Sequence, residues 1–170
     1  TCCDSITVEE LLQLSGQSPE HLHELLRMKL TYGAIEGSDR LRSAIAALYE
    51  HQTGENTLVT HGAIGANQLV YLALVEPGDH VVSVVPSYQQ HTSIPESLGA
   101  NVTRVPLREE HGWQLDVDEL VAAITPGTKV VSLTNPNNPT GALLERPTLQ
   151  TIADACERAG AWVLCDEVYR

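Results

Sequence analysis

Three short stretches of this 170-residue chain group side chains and backbone in ways that could do chemistry. The first is TNPNNPTG at 134–141, directly after the apolar run KVVSL. Each proline removes a backbone donor, fixes its own φ and restricts the residue before it, so the stretch predicts a stiff, non-helical turn. A stiff turn aims a side chain well. Asn138, set between Asn137 and Pro139, carries a carboxamide that both donates and accepts. Asparagines here could also merely complete the turn by bonding backbone, but an eight-residue string this specific favours an aimed side chain.

The second is Asp166 in VLCDEVY, an acid at the end of an apolar run. A carboxylate there needs a partner, since burying an unpaired charge is costly; a helix-end amide, an arginine or a structural salt bridge would suffice. Tyr169, three residues later, reads as a core aromatic with its hydroxyl at the surface. The third is THGAIGANQ, where Gly62 and Gly65 lead an expected strand into a helix. Backbone N–H groups at that positive helix end suit a phosphate. Taken alone, so loose a glycine spacing favours a simple left-handed turn over a phosphate site. It is neither GxGxxG nor a Walker motif, which argues against a nicotinamide-dependent Rossmann enzyme.

The elements that must position these residues follow from apolar periodicity. Thr7 with Glu10 predicts a capping box ahead of VEELLQL, closed by Gly16. Ser18-Pro19 starts a second helix carrying Leu22, Leu25 and Leu26. Ser38 caps a third, with Leu41, Ala44, Ile45 and Leu48 recurring until Gly54. From about residue 58 continuous Val/Leu runs alternate with helices: a strand from Leu58, a helix from about Gly65 to Leu74, then HVVSVVP, NVTRVPL, KVVSLTN and WVLCDEVY, separated by helices. That alternation predicts an α/β fold, a mostly parallel sheet with helices on both faces, preceded by a helical N-terminal segment. The expected boundary falls between residues 56 and 57. Such sheets bind ligands at the carboxyl ends of their strands, where the three stretches lie.

Composition narrows the partners. With 10 Lys+Arg against 22 Asp+Glu the net charge is −12, which lacks the footprint for nucleic acid or an anionic membrane surface. No apolar stretch approaches the ~20 residues of a membrane-spanning helix, and TCCDSITVEE lacks the basic-then-apolar order of a signal peptide. The expectation is a soluble cytoplasmic protein. The four cysteines, at 2, 3, 156 and 165, give no CxxC pair and no metal-binding spacing. Cys156 and Cys165 read as small core residues.

Together, NPNNPTG, CDEVY, YGAIEGSDRLRSAI and EPGDHVVSVVPSY resemble the fold type I pyridoxal-phosphate enzymes, specifically the class I/II aminotransferases, from about Tyr32 to the end of the chain. The resemblance implies pyridoxal 5'-phosphate as cofactor and an amino acid and a 2-oxo acid as substrates. It gives Asp166 the protonated pyridine nitrogen, Asn138 and Tyr169 the cofactor's phenolic oxygen, and Tyr88 the ring face. Ala63 and Ile64 would present backbone N–H groups to the phosphate. Tyr32 would reach a neighbouring subunit's phosphate, which implies a homodimer.

The chain also departs from the family pattern. Ala63 and Ile64 replace the usual polar side chains of the phosphate loop; His61 could compensate or simply face solvent. TCCDSIT stands where a Gly-Glu-Pro-Asp substrate loop is usual, leaving Cys2 and Cys3 near the substrate. The only lysines are Lys29 and Lys129, and neither matches the family's Ser-Lys motif, whose lysine holds the aldehyde and shuttles the Cα proton. The expectation is an incomplete piece of an enzyme, without its Schiff-base lysine and small domain, that does not turn over by itself. Two alternatives to an aminotransferase stay open: a lyase or cyclase of the same fold, resembling capreomycidine synthase, that eliminates at the β-carbon, and a non-catalytic ligand sensor.

Overall fold

A strand buried on both faces needs an apolar centre, and TKVVSLT supplies one in Val130, Val131 and Leu133: Thr128–Thr134 forms β3, buried at every residue but Lys129. The computed structural model describes residues 5–18 and 20–170, together with their side chains except that of Leu25. Cys2, Cys3 and Pro19 lie outside the described residues. Four parallel strands, β1 (His80–Val85), β2 (Asn101–Pro106), β3 and β4 (Trp162–Asp166), stand in the order β2-β1-β3-β4. The connections are α5 (Gln90–Ser97), α6 (Val117–Ala123) and α7 (Arg146–Ala159), with α4 (Gly62–Leu74) ahead of β1.

Alternation along the strands sorts two cores. Val82, Val84, Val131 and Leu133 point to one face, where Leu120 of α6 and Ile152 and Cys156 of α7 cover them. Val81 and Val130 point to the other, under Tyr71 of α4 and Ile94 of α5 and the residues that end these helices, Val75 and Leu98. The sheet is therefore clad on both faces, as the sequence predicts. The chain moves from β1 outward to β2 through α5, then crosses back to β3 through α6 on the opposite face. Right-handed crossovers demand that change of face when direction reverses. The reversal places a switch point between β1 and β3, where open α/β sheets hold their ligands.

The chain divides into two units, one ending at Leu58 and the other Val59–Arg170. In the first, α1 (Val8–Leu14) begins with the predicted capping box, both Thr7–Glu10 bonds being present, and Gly16 ends it at φ +66°. Helix α2 spans Glu20–Arg27, and α3, Asp39–Ala46, starts on Ser38, whose hydroxyl accepts from the Leu41 amide. The expected apolar stripe does not carry α3 to Gly54: the helix ends at Ala46, and Leu41 and Leu48 are exposed. Without burial of that stripe, propensity alone does not extend a helix.

Two further expectations need correction. Residues 57–60 form no regular element and pair with no strand among the described residues, so the strand from Leu58 is absent; a segment becomes a strand only by pairing. Helix α4 begins at Gly62, three residues before the expected start, because Gly62 accepts φ +75° and turns the chain at once.

Candidate active site

Asp166 is the last residue of β4 and pairs in register with Thr134, the last of β3. Period-two alternation puts it on the same sheet face as Leu164, toward α4 and α5. Both helices meet it. Its Oδ2 accepts from Asn67 Nδ2 of α4 at 2.9 Å, from His91 Nε2 of α5 at 3.2 Å and, more distantly, from Gln90 Nε2 at 3.4 Å. Its Oδ1 accepts from the Val168 amide at 3.1 Å. Asn67, Gln90, His91 and Asp166 are all buried.

The hydrogen bond from His91 holds the Asp166 carboxyl below the usual carboxylate range, against burial, which pushes it up; Asn67 and the Val168 amide add to the lowering. An ionised carboxylate only accepts, so His91 Nε2 carries the proton between them. Behind His91, its Nδ1 faces the hydroxyl of Tyr71 at 3.4 Å. Burial pushes the Tyr71 phenol up to about 12, so it stays neutral. The cluster is thus a carboxylate kept charged inside a nearly water-free setting, with one oxygen crowded by three donors and the other holding one. Gln90 Oε1, beside it, is a buried acceptor with no hydrogen-bond partner among the described residues.

The stretch 134–141 resolves into two kinds of asparagine. Asn135 bonds the Leu144 backbone in both directions, Nδ2 to the carbonyl at 3.2 Å and Oδ1 from the amide at 2.9 Å. Asn137 donates through Nδ2 to the Pro86 carbonyl at 3.2 Å and accepts through Oδ1 from the Thr140 amide and hydroxyl. These two complete the turn and tie it to the loop after β1, as does the Ser87–Thr134 hydroxyl pair at 2.7 Å. Asn138 sits half-buried on the frame they make. Gly141, at φ +73°, closes it.

Ala63 and Ile64 lie in the first turn of α4, whose N-cap residue His61 makes no side-chain bond to the helix. The first-turn amides of a helix lack intrahelical partners and carry its positive end. A Cβ on Gly65 would meet Thr60 at 3.5 Å, an ordinary contact, so this glycine is not demanded by packing. Tyr88 lies in the loop between β1 and α5, half exposed; Tyr169 is 39% exposed, three residues beyond Asp166. Tyr32 belongs to the first unit and is fully exposed there.

The structure thus gathers Asp166, Asn138, Tyr88 and the α4 terminus at one end of the sheet of the second unit. Sequence reasoning missed Asn67, Gln90 and His91. A signal for the first was present: in the mainly apolar helix GAIGANQLVYLAL, Asn67 and Tyr71 stand at i and i+4 on one face, and both are buried.

Residues 7–170 match the family model described as aminotransferase class I and II. An arginine–pyruvate transaminase from Pseudomonas aeruginosa is 33% identical over 176 residues, covering 95% of this chain and 45% of that protein. An aspartate aminotransferase from Pyrococcus horikoshii is 32% identical, over 89% of this chain and 41% of its own. The crystal structure of a PLP-dependent aminotransferase from Streptococcus suis superposes with a TM-score of 0.93 at 46% identity, over 98% of this chain and 45% of that one. This chain spans less than half the length of these relatives. A parallel sheet with a buried acid at one strand end, an uncapped helix terminus beside it and these likenesses agree: the chain belongs to the class I and II aminotransferase family.

Proposed function

We propose that this chain is part of a pyridoxal-phosphate-dependent aminotransferase that moves an amino group between an amino acid and a 2-oxo acid. The observation that carries the reading is the buried, ionised Asp166 at the carboxyl end of β4, with acceptor capacity left on Oδ1. When bound, the cofactor supplies an electron-withdrawing ring over which negative charge from the substrate Cα spreads. The residues present fit it. Asp166 accepts the ring N–H and keeps that proton in place. The first-turn amides of α4, Ala63 and Ile64 among them, hold the phosphate at the positive helix end. Asn138 and Tyr169 hydrogen-bond the phenolic oxygen, and Tyr88 covers a ring face and excludes water from it.

Residues 57–170 form the first part of the cofactor-binding domain on this reading. The Schiff-base lysine, the arginines that bind the substrate carboxylate and the small domain belong to a longer natural protein, and the 170-residue chain alone is inactive. The proposal includes a cytoplasmic homodimer in which Tyr32 contacts the neighbouring subunit's phosphate. In support, Leu30, Tyr32 and Ile35 are almost fully exposed in their unit, as suits residues covered by another subunit. The Cys156 and Cys165 thiols are unpaired, as in a reducing compartment.

The test is the visible spectrum of the full-length protein purified with pyridoxal phosphate, before and after single amino acids are added without an oxo-acid acceptor. A visible band that one amino acid converts to the amine form of the cofactor, and a 2-oxo acid then restores, is the expected result. Steady release of 2-oxo acid and ammonia without an acceptor would replace transfer by elimination. Absence of any cofactor band removes the reading altogether.

A further inference from the structure

The donors around Asp166 are unevenly shared between its oxygens. Oδ2 takes three side-chain donors, whereas Oδ1 takes one backbone amide. A carboxylate offers about four acceptor positions, two on each oxygen. Oδ2 is therefore filled, and the capacity that remains lies on Oδ1. The shortest of the three contacts, 2.9 Å, comes from Asn67, 99 residues away in the chain.

Asn67 differs from the other two donors in where it is anchored. Gln90 and His91 stand on α5, which follows the loop carrying Tyr88. Asn67 stands on α4, the helix whose first-turn amides include Ala63 and Ile64. Ala63 and Asn67 are four residues apart and share one helix face, about 6 Å apart along the axis. A single rigid element thus touches the acid at one point and offers its positive terminus one turn earlier. A buried carboxamide needs a partner, and another apolar residue would have served if packing alone were required.

We propose that Asn67 is a positioning residue: its carboxamide grips Asp166 Oδ2, turns Oδ1 toward the ring nitrogen, and fixes the spacing between that acid and the phosphate-holding amides of the same helix. The inference rests on the cofactor reading above and deepens it. The lowered carboxyl of Asp166, to which Asn67 contributes, is in line with it.

The test compares two ligands in the full-length protein: pyridoxal phosphate and an analogue with carbon in place of the ring nitrogen, each titrated by fluorescence or equilibrium dialysis. Wild-type protein prefers pyridoxal phosphate. Asn67→Leu, of similar volume but without a donor, weakens pyridoxal phosphate about 10-fold, the loss of one charge-assisted hydrogen bond, and changes the analogue less than about 2-fold. The preference between ligands collapses, which a merely structural role would not cause. If Asn67→Leu does not fold, Asn67→Ala is measured the same way, with the melting temperature of the cofactor-free protein as control. Equal weakening of both ligands, or unchanged affinity for pyridoxal phosphate, overturns the assignment. A wild-type protein without any preference sinks the pairing of Asp166 with the ring nitrogen itself, a failure of the underlying reading and separable from the failure of Asn67.

Discussion

His91 Nε2 lies 3.2 Å from Asp166 Oδ2, and both side chains are at least 95% shielded from solvent. The pair joins the start of α5 to the end of β4 and is the largest influence holding the carboxyl down. His91→Phe fills most of the volume but removes this donor, leaving the buried charge to Asn67, Gln90 and the Val168 amide. The expected cost is about 2 kcal/mol, read as a lower urea midpoint with an unchanged slope. A variant as stable as wild type would mean that the carboxylate is held without it.

The same depression fixes a pH dependence. A carboxyl lowered on folding contributes stability that is complete above its ordinary value, near 3.8, and is lost as pH falls through that value toward the lower folded one. Urea unfolding of wild type and Asp166→Asn between pH 6 and 3 on this basis converges at the acid end. Curves that stay parallel would show that Asp166 does not titrate as described.

Asp166→Asn also tests the chemistry. The fold is expected to persist, because an amide replaces a buried charge of the same shape. In the full-length protein, loss of the carboxylate reduces transamination by at least about 100-fold, the usual scale for removing one electrostatic group at a reacting centre. Turnover within a few-fold of wild type, measured by 2-oxo acid formation, would take Asp166 out of the site.

Asn137 holds the 134–141 turn to the Pro86 carbonyl and to Thr140. Asn137→Ala removes those bonds and is expected to destabilise by about 2 kcal/mol. It should also speed hydrogen exchange at Gly141 and Ala142, whose amides close the turn. Asn137→Asp keeps the acceptors for Thr140 but turns the donor to Pro86 into a buried carboxylate oxygen facing a carbonyl, so it does not rescue the loss. Unchanged exchange in the alanine variant would show that the prolines alone hold the turn.

In the first unit, Arg42 Nε donates to the carbonyls of Gly54 and Thr57 at 2.8 and 2.9 Å while the guanidinium meets Glu36. Arg42→Ala is expected to release residues 54–57, costing about 2 kcal/mol locally and raising amide exchange at Asn56 and Thr57. Arg42→Lys does not rescue it, because lysine has no counterpart to the fixed Nε. Protection retained in either variant would contradict this role.

Much of the molecule was legible without coordinates, because its signals are local. The Thr7–Glu10 box and the αL glycine at 16 are set within a few residues. The Val runs that became β1 and β3 owe their character to burial on both faces, which is written into composition. NPNNPTG announced a stiff turn through its prolines, and Asp166 announced itself as an acid at an apolar strand end. Tertiary structure decided which partners these residues meet. Strand order β2-β1-β3-β4 brings the loops after β1 and β3 together, so that Asn137 reaches Pro86, and the β3–β4 register turns Asp166 toward α4 and α5. No pattern within one segment specifies a contact between Asn67 and Asp166, 99 residues apart, because such a contact exists only after two helices have packed on one sheet face. Residues 57–60 teach the same lesson in reverse: their apolar run suits a strand, yet pairing belongs to two segments and cannot be read from one.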